Sequence, residues 1–227
     1  MEKVVKAGIR EHVIQFIQNF RILLLSILGI IVVGVIGAVI FEEMHKSSIV
    51  AVTQIVEELD SSYEALLSSK SEDEKKTLID NFTQVTKKAT DSYKGTYAEQ
   101  RAVFLNGSYQ YNEKQFSTAE TLFVQASEIF PSSYLAPISL MNASFAAEDA
   151  GNTAKSIEYL TRLAKDYEKT SAQSARALFN LGRLYENNQN WKEASDSYKK
   201  IIDSFPGSNW TKLARDRIIY LKSQQKL

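Results

Sequence analysis

NLGRLYENNQNWKEASDSYKKIIDSFP, Asn180 to Pro206, reads as two amphipathic helices placed back to back. Leu181, Leu184 and Tyr185 share one helical face, and Ala194, Tyr198, Ile201 and Ile202 share another. Gly182 stands inside the first helix, where glycine costs roughly 1 kcal/mol against alanine. The pattern therefore predicts a close helix crossing, with Gly182 and Ala194 each small because it faces the partner backbone. Asn190 to Glu193 predicts a side-chain cap for the second helix, and Pro206 predicts its end.

Extending this register shows that the pair is a repeat. With Ala175 as the first position of a roughly 34-residue unit, Leu178, Leu181, Gly182, Tyr185, Ala194, Tyr198, Ile201 and Pro206 fill its signature slots. An earlier copy begins near Gln100, with Val103, Gly107, Ala119, Phe123, Ala126 and Pro131 in the same places and a capping box expected from Ser117 to Glu120. A degenerate copy from Pro137 supplies Leu140, Ala143, Ser144, Ala147, Ser156, Leu160, Leu163 and Glu168. These units resemble tetratricopeptide (TPR) repeats. The repeat-packing residues are then Gly107, Ala119, Pro131, Gly182, Ala194 and Pro206.

Upstream, Gly95 breaks the chain, and before it lie two further helical patterns. Ile49, Val52, Val56, Leu59, Tyr63 and Leu66 form a heptad-like stripe. Ile55 widens that stripe, which favours packing within the chain over a homodimeric coiled coil; a homo-oligomer stays open. Ser71 and Glu74 predict a capping box for the next helix, whose apolar face is Leu78, Phe82, Val85, Ala89 and Tyr93.

Ile22 to Phe41 holds twenty residues without a charge, enough to cross the roughly 30 Å bilayer core as a helix. The run exceeds a signal-peptide core, and no small-x-small cleavage site follows it. Lys3, Lys6, Arg10 and Arg21 precede it, while Glu42 and Glu43 follow, so the N-terminus is expected in the cytoplasm and the remainder outside. In a bacterium that is an inner-membrane protein with a periplasmic domain. Gly34 and Ala38 have small-xxx-small spacing, which ordinary membrane-helix filling also explains.

The expected fold is all-α: a cytoplasmic segment 1–21, a transmembrane helix 22–41, a helical hairpin 42–95 and a TPR-like domain 96–227. Within the last, repeats are expected near 100–133, 137–170 and 175–208, closed by a capping helix at 210–225, an α-solenoid.

The sequence argues against catalysis. The two histidines, His12 and His45, flank the apolar run, cysteine is absent, and no phosphate loop, zinc motif or nucleophile elbow occurs. Glu42-Glu43 and Glu57-Glu58 read as solvated helix faces. No catalytic residue, metal site or cofactor is expected. With a formal net charge of zero and no basic stripe, nucleic acid is not an expected partner.

The TPR resemblance implies a concave binding wall from the first helix of each pair. Its positions here are Arg101, Phe104, Ser108 and Tyr111, then Ile138, Met141, Phe145 and Glu148, then Arg176, Phe179, Arg183 and Glu186. The aromatics, Met141 and the arginines suit apolar peptide segments. Alternatively, some are core residues, or the hairpin fills the groove.

In layout, from basic N-terminus through single span, hairpin and Gly95-Thr96-Tyr97-Ala98 to the repeats and last helix, the chain resembles the membrane-anchored TPR accessory subunit of the bacterial Sec translocon. That implies a periplasmic chaperone-like or accessory role, with unfolded or translocating chains, translocon subunits and a membrane-anchored prolyl isomerase as partners. A second reading is a scaffold subunit of a large envelope assembly, such as the periplasmic collar of a spirochaete flagellar motor. Domains that clamp acidic C-termini of cytosolic heat-shock proteins resemble the chain in fold only, because Phe104, Ser108 and Phe145 replace their polar residues.

Overall fold

The computed structural model describes the backbone of residues 2–227, the side chains of residues 49–227, and those of residues 14, 16, 19–23, 25–27 and 30–37. His12, Ala38, His45, Glu42, Glu43 and the basic residues Lys3, Lys6 and Arg10 lie outside the described side chains.

Among the described residues the chain is helical throughout, without strands. It divides into two units, residues 1–51 and 52–227. Helix α1, Glu2–Leu67, supplies the described backbone of the first unit and begins the second. In the first unit Asn19–Gly37 is long and apolar enough to span a membrane, with mean hydropathy 2.6. Its described apolar side chains, among them Ile22, Ile30 and Val33, are exposed.

The second unit continues with α2 (Glu72–Ser92), α3 (Tyr97–Asn112), α4 (Phe116–Ile129), α5 (Leu135–Asp149), α6 (Thr153–Asp166), α7 (Gln173–Asn187), α8 (Trp191–Ser204) and α9 (Asn209–Ser223). Each helix packs on the next, and α3, α5, α7 and α9 also touch in series. This is an α-solenoid: helix pairs stack, and each covers the apolar face its neighbour cannot cover alone. One core cluster joins Leu140, Leu160, Leu178, Tyr198 and Leu221 across α5 to α9.

The hairpin belongs to the same stack. Ile55, Leu59 and Leu66 of α1 share a core with Phe82, Val85 and Ala89 of α2 and Ala98, Ala102 and Leu105 of α3. The buried face of α1 is thus centred on Ile55, Leu59, Ser62 and Leu66, while Ile49 is exposed. Ser71 caps α2 by accepting from the Glu74 amide at 3.2 Å, and Glu74 accepts from the Lys70 amide at 2.9 Å.

Two turn devices recur. After α3, α5, α7 and α9, one residue takes a left-handed conformation: Lys114 (φ 60°), Gly151 (φ 82°), Gln189 (φ 61°) and Gln225 (φ 55°). The following amide then reaches back to close the helix end, Gln115 to Gln110, Asn152 to Ala147, Asn190 to Tyr185 and Lys226 to Leu221. At the opposite end, side chains from the next helix satisfy the last carbonyls of the previous one. Ser174 Oγ donates to the Tyr167 carbonyl at 2.7 Å and Thr211 Oγ1 to the Phe205 carbonyl at 2.6 Å. For α4 the donor comes instead from the helix before it: fully buried Gln100 of α3 donates to the Ala126 and Phe130 carbonyls at 2.8 and 3.1 Å and accepts from Ser133 Oγ.

Three sequence expectations need correction. A methyl group on Gly182 would sit 2.4 Å from Tyr198 Cε1, so this glycine makes room for a ring, not for the partner backbone. Gly107 does the same for Phe123, at 3.0 Å. The register explains both: the small residue lies opposite the large residue of the second helix, and in the middle repeat the corresponding slots hold Ser144 and the smaller Leu160, both buried. The Ser117–Glu120 capping box does not form, because α4 begins at Phe116 and Glu120 is taken by Lys155 and Tyr159 at 2.8 and 2.7 Å. Asn190 begins α8 without a side-chain cap; its carbonyl accepts the Ala194 amide instead.

Candidate functional site

Helices α3, α5, α7 and α9, with residues 52–67 of α1, form one wall of the stack. Consecutive members are tied by polar pairs of one kind. Arg101 Nε meets Asp60 Oδ1 at 2.8 Å. Tyr111 donates its hydroxyl to Asp149, which holds the phenol proton up to a pKa of about 12. Arg183 grips Glu148 through two N–H groups at 2.7 and 2.6 Å. Arg217 of α9 grips Glu186, with Nε at 3.0 Å, and the same carboxylate accepts from the Tyr198 hydroxyl at 2.6 Å. Burial, and then that hydrogen bond, raise the Tyr198 pKa. Hydrogen bonding to Glu148 likewise raises that of Arg183.

Two-pronged guanidinium–carboxylate contacts fix angle as well as distance. The series therefore sets how each helix pair sits on the next. Because the Arg183 and Glu148 side chains are 36% and 29% exposed, solvent screens the pair and it contributes at most about 1 kcal/mol.

Ten of the twelve residues expected on the wall fall into four groups. Arg101, Tyr111, Arg183, Glu148 and Glu186 are half-buried members of the ladder. Phe104 and Phe179 are half-buried packing residues: Phe104 lies 5.5 Å from Phe123, and Phe179 lies between Tyr198 and Trp210 at 5.4 and 5.1 Å. Met141, 2% exposed, sits in the core. Its position turns inward because α5 is covered on several sides, by α3, α4, α6 and α7.

Phe145 and Arg176 are half-buried too, but neither belongs to the ladder. The Arg176 guanidinium lies 5.4 Å from the Phe145 ring centre, and no carboxylate pairs with it among the described residues. Phe145 also lines a cleft of about 210 Å³ together with Tyr63, Tyr111, Asn112, Phe123 and Asn142. The hairpin thus does not plug the wall but extends it: Tyr63 of α1 forms one side of the cleft, held by Asn112 Nδ2 at 3.3 Å. Sequence reasoning missed Tyr63, Asn112, Asn142 and Arg217 as wall residues. Tyr63 stood in the apolar stripe, but the tilt that brings it to Asn112 is a tertiary property.

Residues 176–208 match the tetratricopeptide repeat family. A TPR repeat-containing protein of Treponema pallidum (strain Nichols) is 28% identical over 109 residues, 48% of this chain and 45% of that protein. The chain thus spans less than half the length of this curated relative. Repeats of this kind are protein–protein interaction modules and are characteristically not enzymes.

Proposed function

We propose that residues 52–227 form a docking scaffold, tethered to the inner membrane by the apolar N-terminal helix and displayed on the periplasmic side, which holds partner proteins of an envelope assembly. The observation that carries this reading is the condition of the wall: most of its charges are already matched between neighbouring helices. A chaperone for unfolded chains needs a broad, adaptable apolar surface. Here the exposed large apolar side chains are dispersed, with Phe130 and Tyr134 at the α4–α5 turn and Leu213, Ile219 and Tyr220 on α9. A prebuilt wall suits few and fixed partners. The translocon-accessory reading shares the tether and the repeats but asks for promiscuous capture.

The test uses the full chain in detergent. A scaffold co-purifies with a few partners in constant ratio and leaves aggregation of an unrelated unfolded protein unchanged. Suppression of that aggregation at equimolar chain, with no stoichiometric partner, favours the chaperone reading and overturns the scaffold.

A further inference from the structure

The cleft carries an unsatisfied chemistry that narrows what docks there. At about 210 Å³ it lies below the roughly 300–1,000 Å³ of small-molecule sites, so it fits one side chain and not a cofactor. Its floor is aromatic, from Phe123 and Phe145. The Asn142 side chain lines it with no hydrogen-bond partner among the described residues, an amide free to meet a passing backbone.

Opposite charges touch two of its lining residues, Arg176 at Phe145 and Asp149 at Tyr111. Arg176, stacked beside Phe145, lacks a carboxylate, whereas the neighbouring Arg183 is neutralised by Glu148. Asp149, hydrogen-bonded to the lining residue Tyr111, lacks a cation among the described residues. A partner complementary to this arrangement is itself dipolar.

We propose that the cleft receives one apolar side chain of an extended partner segment that carries an acidic residue toward Arg176 and a basic residue toward Asp149. The inference rests on the protein-binding reading and names the segment chemistry that reading leaves open. Tyr63 makes the site depend on the helix that leads from the apolar N-terminal run, so the docking surface includes residues outside the repeats.

Fluorescence anisotropy with the full chain in detergent and capped seven-residue probes tests it. The parent probe is Gly-Lys-Gly-Phe-Gly-Asp-Gly; the comparisons replace Phe by Ala, or both charges by Asn. The parent is expected to bind about 5-fold more tightly than the uncharged probe, the scale of a half-exposed ion pair, and the Ala probe to bind at least as weakly. Arg176→Glu should reverse the preference toward a probe with Lys on both flanks. Equal binding of charged and uncharged probes, or an Arg176→Glu variant with unchanged preference, overturns the proposal. Failure of every probe while partners still co-purify overturns the cleft assignment and leaves the scaffold standing; failure of both removes both.

Discussion

Gly182→Ala is the sharpest probe of how the helix pairs close. Alanine at this helix-interior position recovers about 1 kcal/mol of helix propensity. Its methyl group, however, would meet Tyr198 Cε1, Cζ and Cδ1 at 2.4, 2.5 and 2.8 Å. Carbon atoms rest near 3.5–4.0 Å, so the ring must withdraw by roughly 1 Å. It has little freedom to do so: Tyr198 is 1% exposed, its hydroxyl is held by Glu186 at 2.6 Å, and Phe179 packs on it at 5.4 Å. Overpacking of this kind costs about 1–3 kcal/mol. With the ring pinned on these sides the upper half of that range, about 2–3 kcal/mol, applies, so the net expectation is about 1–2 kcal/mol of destabilisation, a Tm lower by roughly 2–8 °C. Thermal melts of the full chain in detergent, followed by helical circular dichroism, measure it. Gly107→Ala is the internal control, since Phe123 at 3.0 Å has only tenths of an ångström to give and no hydroxyl to lose. Its Tm should change little. In a Tyr198→Leu background, which puts in this slot the residue type the middle repeat has at Leu160, Gly182→Ala should lose most of its cost. An unchanged or higher Tm for Gly182→Ala, or equal costs in the two backgrounds, would refute the ring-clearance account.

Other expectations are as specific. Gln189→Gly should raise stability by about 1 kcal/mol, because Gln189 holds φ 61° at a turn where glycine is unstrained; a lower Tm contradicts the turn assignment. Gln100→Leu should cost about 1–3 kcal/mol, since the α4 carbonyls and Ser133 lose a buried partner; urea melts report it, and a neutral result means another donor replaces it. Glu148→Gln should cost no more than about 1 kcal/mol, and the loss should shrink at about 0.5 M salt; a salt-independent loss would place its cause in packing. Burial and acceptance by carboxylates raise the tyrosine pKa values of Tyr159 and Tyr198 in the fold, so their contribution is complete below the unfolded value near 10 and is lost as pH rises through the folded values. Melts at pH 7 to 11 should therefore be flat up to about 10 and then decline, and less steeply for Tyr198→Phe.

The helical class, the apolar run and the repeat register were legible in the chain because they are local or periodic. Leu178, Leu181, Ala194 and Ile201 carry a spacing that any α-helix converts into one buried face. Ser71 and Glu74 are close enough in sequence to declare their own cap, and Pro206 its own helix stop. Tertiary structure decided what each small or polar residue answers to. Gly182 faces a ring sixteen residues on, Glu120 leaves a capping role for Lys155 and Tyr159, Met141 turns inward, and Tyr63 crosses to Asn112. Those outcomes depend on the rotation and tilt between helices, which are set by the whole set of side chains packed between them and by no single segment's period.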